Sequence, residues 1–206
     1  MTREVLLADN FCIGQIAVQK SDHGFVLSHR DDEARTDLLR SSDPEAAIEI
    51  ARYDDHGNYR PLKTAPNLQH GWQLEVLDLN HLRVALDYFY PGRLTVYEAW
   101  KDDRLKTTTL RDTLDRQSGM YRVAGKISDL QVDSLVGNFC RSDGGCLRTV
   151  LWKRDAAGKV ASTNLPPQKF DPSHDQTGGR RTCIPLLCQE MCNLLVAECR
   201  KVVKGE

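Results

Sequence analysis

The chain has 206 residues, 40% of them hydrophobic and 28% charged, and a formal net charge of −1. This is a globular balance, long enough to bury a core without disulfides, and it gives no electrostatic case for nucleic acid or an anionic membrane surface as a partner. No apolar run reaches the length of a bilayer span, and the opening "MTREVLLADN" lacks a signal-peptide core, so a cytoplasmic setting with reduced thiols is the expectation.

In chain order, "IGQIAVQK" and "GFVLSHR" read as two strands joined through the turn "SDHG". "DPEAAIEIARY" reads as a short helix, with Asp43 as cap and Pro44 in its first turn. The polar run "YDDHGNYRPLKTAPNLQHGW" is loop. "WQLEVLD" alternates as a strand. Asp78 then caps a helix whose Leu79, Leu82, Leu86 and Phe89 form one apolar stripe, closed by "YPG". "RLTVYEAWKDDRLKTTTL" reads as a hairpin over "KDD". "TLRDTLDRQSG" is a short helix, "MYRVAGKI" a strand, and "SDLQVDSLVGNFC" a helix capped by Ser128. "CLRTVLWKRD" and "GKVASTNLP" form a further hairpin, residues 164–181 a long loop, and a last helix runs from about Pro185 to Val203. The pattern predicts an α+β fold. Residues 1–91 form a small α+β scaffold layer packed on a domain at 92–206 that ends in a long helix and carries the cysteines.

Six of the seven cysteines fall in the last third of the chain. Clustered thiols in a reducing setting point to metal or redox chemistry rather than stapling. Cys140 and Cys146 flank a loop with two glycines, and Cys188 and Cys192 stand four apart, on one face of the expected last helix. Two converging pairs make a four-thiolate site, for zinc or for an iron–sulfur cluster. The wide C-x5-C loop and the free N–H groups expected near Cys188 favour the larger, anionic 4Fe-4S cluster, with zinc in an interaction module as the alternative. Cys183 is the rival to Cys188. Cys12, alone, and Cys199, three turns into the helix, read as packed core thiols.

"LRDTLDRQSGMYRV", "FCRSDGGCLRTVLW" and "IPLLCQEMCNLLVAECR", with "YRPLKTAPNLQHGW" before them, resemble the C-terminal iron–sulfur region of the sirohydrochlorin-chelatase-like (CbiX-like) multidomain proteins, a stabilising domain followed by a 4Fe-4S domain. The resemblance implies one 4Fe-4S cluster on Cys140, Cys146, Cys188 and Cys192. It also implies a role in electron transfer or as an accessory to tetrapyrrole or metal-cofactor metabolism, with a redox or chelatase partner protein. Arg60, Lys63, His70 and Trp72 offer a lip for a carboxylated tetrapyrrole, weighed against a structural loop with a buried Trp. Arg111, Arg116 and Arg122 read as charges facing the cluster or a partner, or as helix support. No catalytic residue is assigned. The six histidines are scattered in sequence and form no motif.

Overall fold

The computed structural model describes residues 10–60, 67–116, 119–140, 149–152 and 182–206. The fold is α+β, divided into two compact units. The first comprises Met1–Arg104 with Asp171–Leu186, the second Leu105–Phe170 with Leu187–Glu206. The expected boundary at 91/92 falls within the first stretch of unit 1.

Unit 1 is built on a six-stranded mixed sheet: β1 (Asn10–Ile13), β2 (Ile16–Ser21), β3 (Gly24–His29), β4 (Leu39–Ser41), β5 (Trp72–Val76) and, from far along the chain, β7 (Thr182–Ile184). The order is β4-β5-β3-β2-β1-β7. β1, β2 and β3 form an antiparallel meander, as the pairs Ile13↔Ile16 and Ser21↔Gly24 show. The expected β2–β3 hairpin is present; β1, a short buried strand next to the polar N-terminus, escaped the alternation pattern. The outer pairs, β4 with β5 and β1 with β7, are parallel.

Gly14 makes the β1–β2 turn possible. Its φ is +56°, and a Cβ there would lie 2.7 Å from the Tyr90 Oη and 2.9 Å from Leu186. That hydroxyl accepts the Gln15 backbone N–H at 2.9 Å, while the Gln15 side chain accepts the Leu68 N–H at 3.0 Å. Gly14→Ala therefore combines left-handed strain, a clash and a disturbed buried hydrogen bond. The expected loss is about 3 kcal/mol, or roughly 10 °C of melting temperature, readable by calorimetry.

Helix α1 (Ala46–Arg52) packs on α2 (Leu79–Phe89). Asp78 caps α2 as predicted, accepting the N–H groups of Asn80 and His81. Leu82, Ala85, Leu86 and Phe89 are its buried stripe. Residues 93–101, expected to be a strand of a hairpin, are instead helix α3 (Arg93–Lys101), entered through Gly92 at φ 68°. Thr95, Val96 and Tyr97 gave the segment a β-like composition, yet Leu94 and Tyr97 are buried three residues apart, and Glu98 takes both guanidinium nitrogens of Arg83 on α2 at 2.8 and 3.1 Å. Tertiary pairing outweighs the local preference of these residues.

At one end of this sheet His29 is fully buried. Burial, then the charge of the neighbouring His70, pushes its pKa down to about 4 from the ordinary 6.5. Asp32 is also buried. Burial works against its charge, but the Gly71 N–H, the His70 ring and Arg35 together hold its carboxyl below the ordinary value.

Unit 2 is mainly helical among its described residues. α4 (Leu110–Asp115) is capped by Thr109, and α5 (Asp129–Leu135) by a full capping box of Ser128 and Gln131. The segment "MYRVAGKI", expected as a strand, lies instead almost wholly in a 3-10 helix, Gly119–Lys126, held in part by Arg111, which donates to the carbonyls of Gly125 and Ile127 and pairs with Asp129. A single π-helical stretch, Val136–Cys140, ends the α5 region. Strands β6 (Thr149–Val150) and β8 (Leu187–Cys188) pair in parallel. The expected partner of the 146–155 strand, "GKVASTNLP", lies outside the described residues, as does the long loop after it.

The last helix, α6, is Asn193–Lys204 rather than Pro185 to Val203. The residues before it are drawn into β7 and β8 by pairing with β1 and β6. Ile184-Pro185 suits extended backbone better than a helix interior, which is the local signal that the apolar spacing concealed. Gly205, at φ 75°, closes α6.

Candidate metal centre

Cys140 ends the π-helical stretch, Cys188 is the last residue of β8, and Cys192 is the N-cap of α6. Cys140 and Cys188 are buried in one core with Leu110, Leu114, Val132, Trp152 and Leu195, and Cys192 packs against it half-buried. Three of the four expected ligands are therefore brought to one core of unit 2 from three different elements. The fourth, Cys146, lies outside the described residues.

Cys188 and Cys192 do not share a helix face, since β8 and a short connection carry Cys188 and the helix starts only after Cys192. The helix N-terminus expected at Cys188 belongs to Cys192. Cys192 makes no side-chain capping bond, so its sulfur is not committed to the backbone, and the first turn of the twelve-residue α6 carries no acidic residue. The positive end of the helix favours negative charge at that position.

Cys188 has a specific second partner. The Trp152 indole Nε1–H donates to its Sγ at 3.3 Å, and both side chains are buried. Its thiol in turn donates to the Glu190 carbonyl at 3.1 Å. The Leu151 N–H donates to the Cys188 carbonyl at 2.9 Å, which fixes the backbone that presents the sulfur. Sequence inspection missed Trp152, although "TVLW" beside the C-x5-C loop was the available signal.

The other thiols are placed differently. Cys199 is buried on the inner face of α6, and burial pushes its thiol up to about 11. It is a packed core thiol, as its position three turns in had indicated. Cys12 is not alone: it faces Cys183 across the parallel β1–β7 pair, Cα to Cα 4.4 Å, and the two form a disulfide. Cys183 therefore sits in the sheet of unit 1, while Cys188 sits in the core that holds Cys140.

The loop read as a possible lip for a tetrapyrrole or as a structural loop is only partly described. Arg60 and Trp72 are buried, Trp72 stacked on Phe89 at 5.0 Å with its indole N–H given to the Gln69 carbonyl. His70 is half-exposed, and Lys63 lies outside the described residues. Arg111 supports its own helix region, and Arg116 lies 4.0 Å from Glu190; nothing is described of the Arg122 side chain.

The donor set fits an iron–sulfur cluster: buried thiols from separate elements, apolar walls, an indole N–H directed at one sulfur and a helix N-terminus at another. The comparisons agree. Residues 4–104 match the DR2241 stabilising domain, and residues 102–201 match the 4Fe-4S iron-sulfur cluster binding domain. The chain is thus an iron–sulfur cluster-binding protein. More narrowly, it belongs with the proteins that join these two domains, the relationship its cysteine motifs had indicated. No curated protein matches it. Among solved structures it is similar to DR2241 from Deinococcus radiodurans, described as a multi-domain protein with structural similarity to chelatases and two additional novel domains. The two are 26% identical with a TM-score of 0.78, over 99% of this chain and 40% of the Deinococcus protein. The chain therefore spans about two fifths of that relative's length.

Proposed function

We propose that the chain holds one 4Fe-4S cluster on Cys140, Cys146, Cys188 and Cys192 and serves as a one-electron carrier to a partner that handles a metal or a tetrapyrrole. The observation that carries this reading is the convergence of Cys140, Cys188 and Cys192 on one apolar core within the residues matched to the 4Fe-4S domain. Such a cluster, when bound, supplies reversible one-electron transfer. The chain's own residues supply the setting: Trp152 donates to a ligand sulfur, α6 presents its positive end at Cys192, and the buried leucines and valines exclude water. The link to a chelatase partner rests on the chelatase-like similarity stated for the whole Deinococcus protein, of which this chain matches a part.

Iron and sulfide analysis of anaerobically prepared protein, followed by a potentiometric titration, tests the proposal. About four iron and four sulfide per chain with a reversible one-electron wave are expected. A colourless protein with stoichiometric zinc would instead establish the interaction-module alternative. Trp152→Phe gives a finer check. Loss of one hydrogen bond to sulfur, about 1 kcal/mol favouring the reduced cluster, should lower the potential by roughly 40 mV at unchanged iron content.

A further inference from the structure

His29 ends β3, and His70 lies two residues before β5 begins. β3 and β5 are antiparallel neighbours with Ser28 opposite Gln73, so the sheet brings the end of one strand beside the start of the other. The two imidazole rings lie 3.9 Å apart, centroid to centroid.

The His70 ring is held with a lone pair to give, and the His29 Nδ1 commits its own only to a long contact with the Asp31 N–H. Asp32 accepts the Gly71 N–H at 2.6 Å and lies 3.3 Å from the His70 Nδ1. A carboxylate only accepts, so the His70 proton sits on Nδ1 and its Nε2 lone pair is left free. A carboxylate behind a histidine in this way is the usual outer support of a metal-ligating imidazole. Arg35, 3.3 Å from the same Asp32 carboxylate, steadies it.

His29 is poorly satisfied for a fully buried side chain. Its Nδ1 accepts only the Asp31 backbone N–H, at a long 3.2 Å, and its Nε2 has no hydrogen-bond partner. Leaving a buried polar group unpaired costs about 1–3 kcal/mol. The Asp31 carboxylate stands 3.7 Å from that Nδ1, and its side chain is largely exposed. One donor atom from each of His29, Asp31 and His70 lies within 4.8 Å of the others. Ligands of a tetrahedral ion with bonds near 2.1 Å are about 3.4 Å apart. The His29–Asp31 spacing is close to that already, and the exposed Asp31 and half-exposed His70 have room to close the remainder.

We propose that His29, Asp31 and His70 form a binding site in unit 1 for one divalent transition-metal ion of the zinc class, with Asp32 positioning His70. Two imidazoles and one carboxylate are a borderline donor set that suits zinc, cobalt(II), nickel(II) or iron(II) over calcium or magnesium. Three protein ligands leave a coordination position for water or a small ligand. The site lies in unit 1, whereas Cys140, Cys188 and Cys192 lie in unit 2.

The test is a zinc titration of the cluster-loaded full chain under anaerobic conditions, by calorimetry and by metal content after gel filtration. One zinc equivalent beyond the iron is expected. Affinity should fall at least about tenfold in Asp32→Asn, and further in His70→Ala and Asp31→Ala, with iron and sulfide unchanged. Asp31 and His70 are surface positions, so these two variants should fold, and an unchanged circular dichroism spectrum and iron count verifies it. If His70→Ala fails that check, His70→Gln replaces it. Absence of a zinc equivalent in the unaltered chain would overturn the proposal. So would zinc retained at full affinity in both the His70 and Asp31 variants, which would place it elsewhere.

Discussion

Cys188→Ser is expected to remove most of the iron from the purified protein, while Cys183→Ser and Cys199→Ser leave the iron count unchanged. Cys188 shares the core of unit 2 with Cys140 and Cys192, and it alone of the three replaceable positions receives a hydrogen bond from Trp152. Serine offers a poorer ligand of much higher pKa, and a cluster tied by three thiolates has an iron open to solvent and oxidation. Cys199 is buried as an uncharged thiol, with its pKa pushed up to about 11, so it gains nothing from ligation where it stands. Cys183 is bonded to Cys12 in the sheet. Its replacement should instead lower thermal stability, because that bond closes a span of 171 residues. The loop-entropy model puts such a cross-link at roughly 5 kcal/mol. Iron analysis of the three variants decides the assignment. Full iron in Cys188→Ser with loss in Cys183→Ser would move the ligand set to the other unit.

Much of the fold was legible wherever one local signal dominated. Asp78 and Ser128 stand directly before apolar helical stripes, and both cap as their residue types require. The β2–β3 hairpin and β5 followed from alternation between turn residues. Failures came where partners distant in sequence decide the conformation. Thr95, Val96 and Tyr97 favour strand, yet Arg83 on α2 draws Glu98 into a helix. Thr182–Ile184 looks like the approach to a helix, and it becomes a strand because β1, some 170 residues earlier, offers it an edge. For the same reason Cys12 read as a lone core thiol: nothing nearby in sequence announces Cys183.

The cysteine centre was half legible for a related reason. The cysteine types and their density carried the chemistry, but the support from Cys188 on a strand, Cys192 at a helix N-cap and Trp152 against a sulfur is tertiary. The histidines show the limit from the other side. His29 and His70 are 41 positions apart and read as scattered, while the β3–β5 register sets their rings together. Sheet register, not spacing, is the information a single sequence withholds at both places.

Removing the cluster should loosen unit 2 and spare the sheet of unit 1. Apart from α6, the described elements of unit 2 are short: α4 and α5 are six and seven residues long, and β6 and β8 pair through two residues each. Elements that short draw their stability from packing, and the thiols of Cys140 and Cys188 are part of the packed core itself. A cluster joining Cys140 to Cys188 closes a loop of about fifty residues. By the loop-entropy relation used for covalent cross-links, losing that closure relaxes the unfolded chain by roughly 4 kcal/mol, and the freed thiols, once ionised, repel one another. Unit 1 carries its own core on β1, β2, β3, β5 and α2, with Phe11, Ile16, Leu27, Leu74, Leu86 and Phe89 all buried. Hydrogen exchange after anaerobic chelation of the iron reads the outcome by segment. Protection should fall by about a hundredfold or more in 110–140 and 187–204, since local opening follows local stability. β2, β3 and β5 should keep theirs. The two strands at the end of the chain separate the possibilities most sharply: β7 should stay protected beside β1 while β8, three residues further on, loses its protection. Equal loss in both would mean that the cluster stabilises the whole chain as one cooperative body, and no loss in either would mean that the thiol core stands without iron.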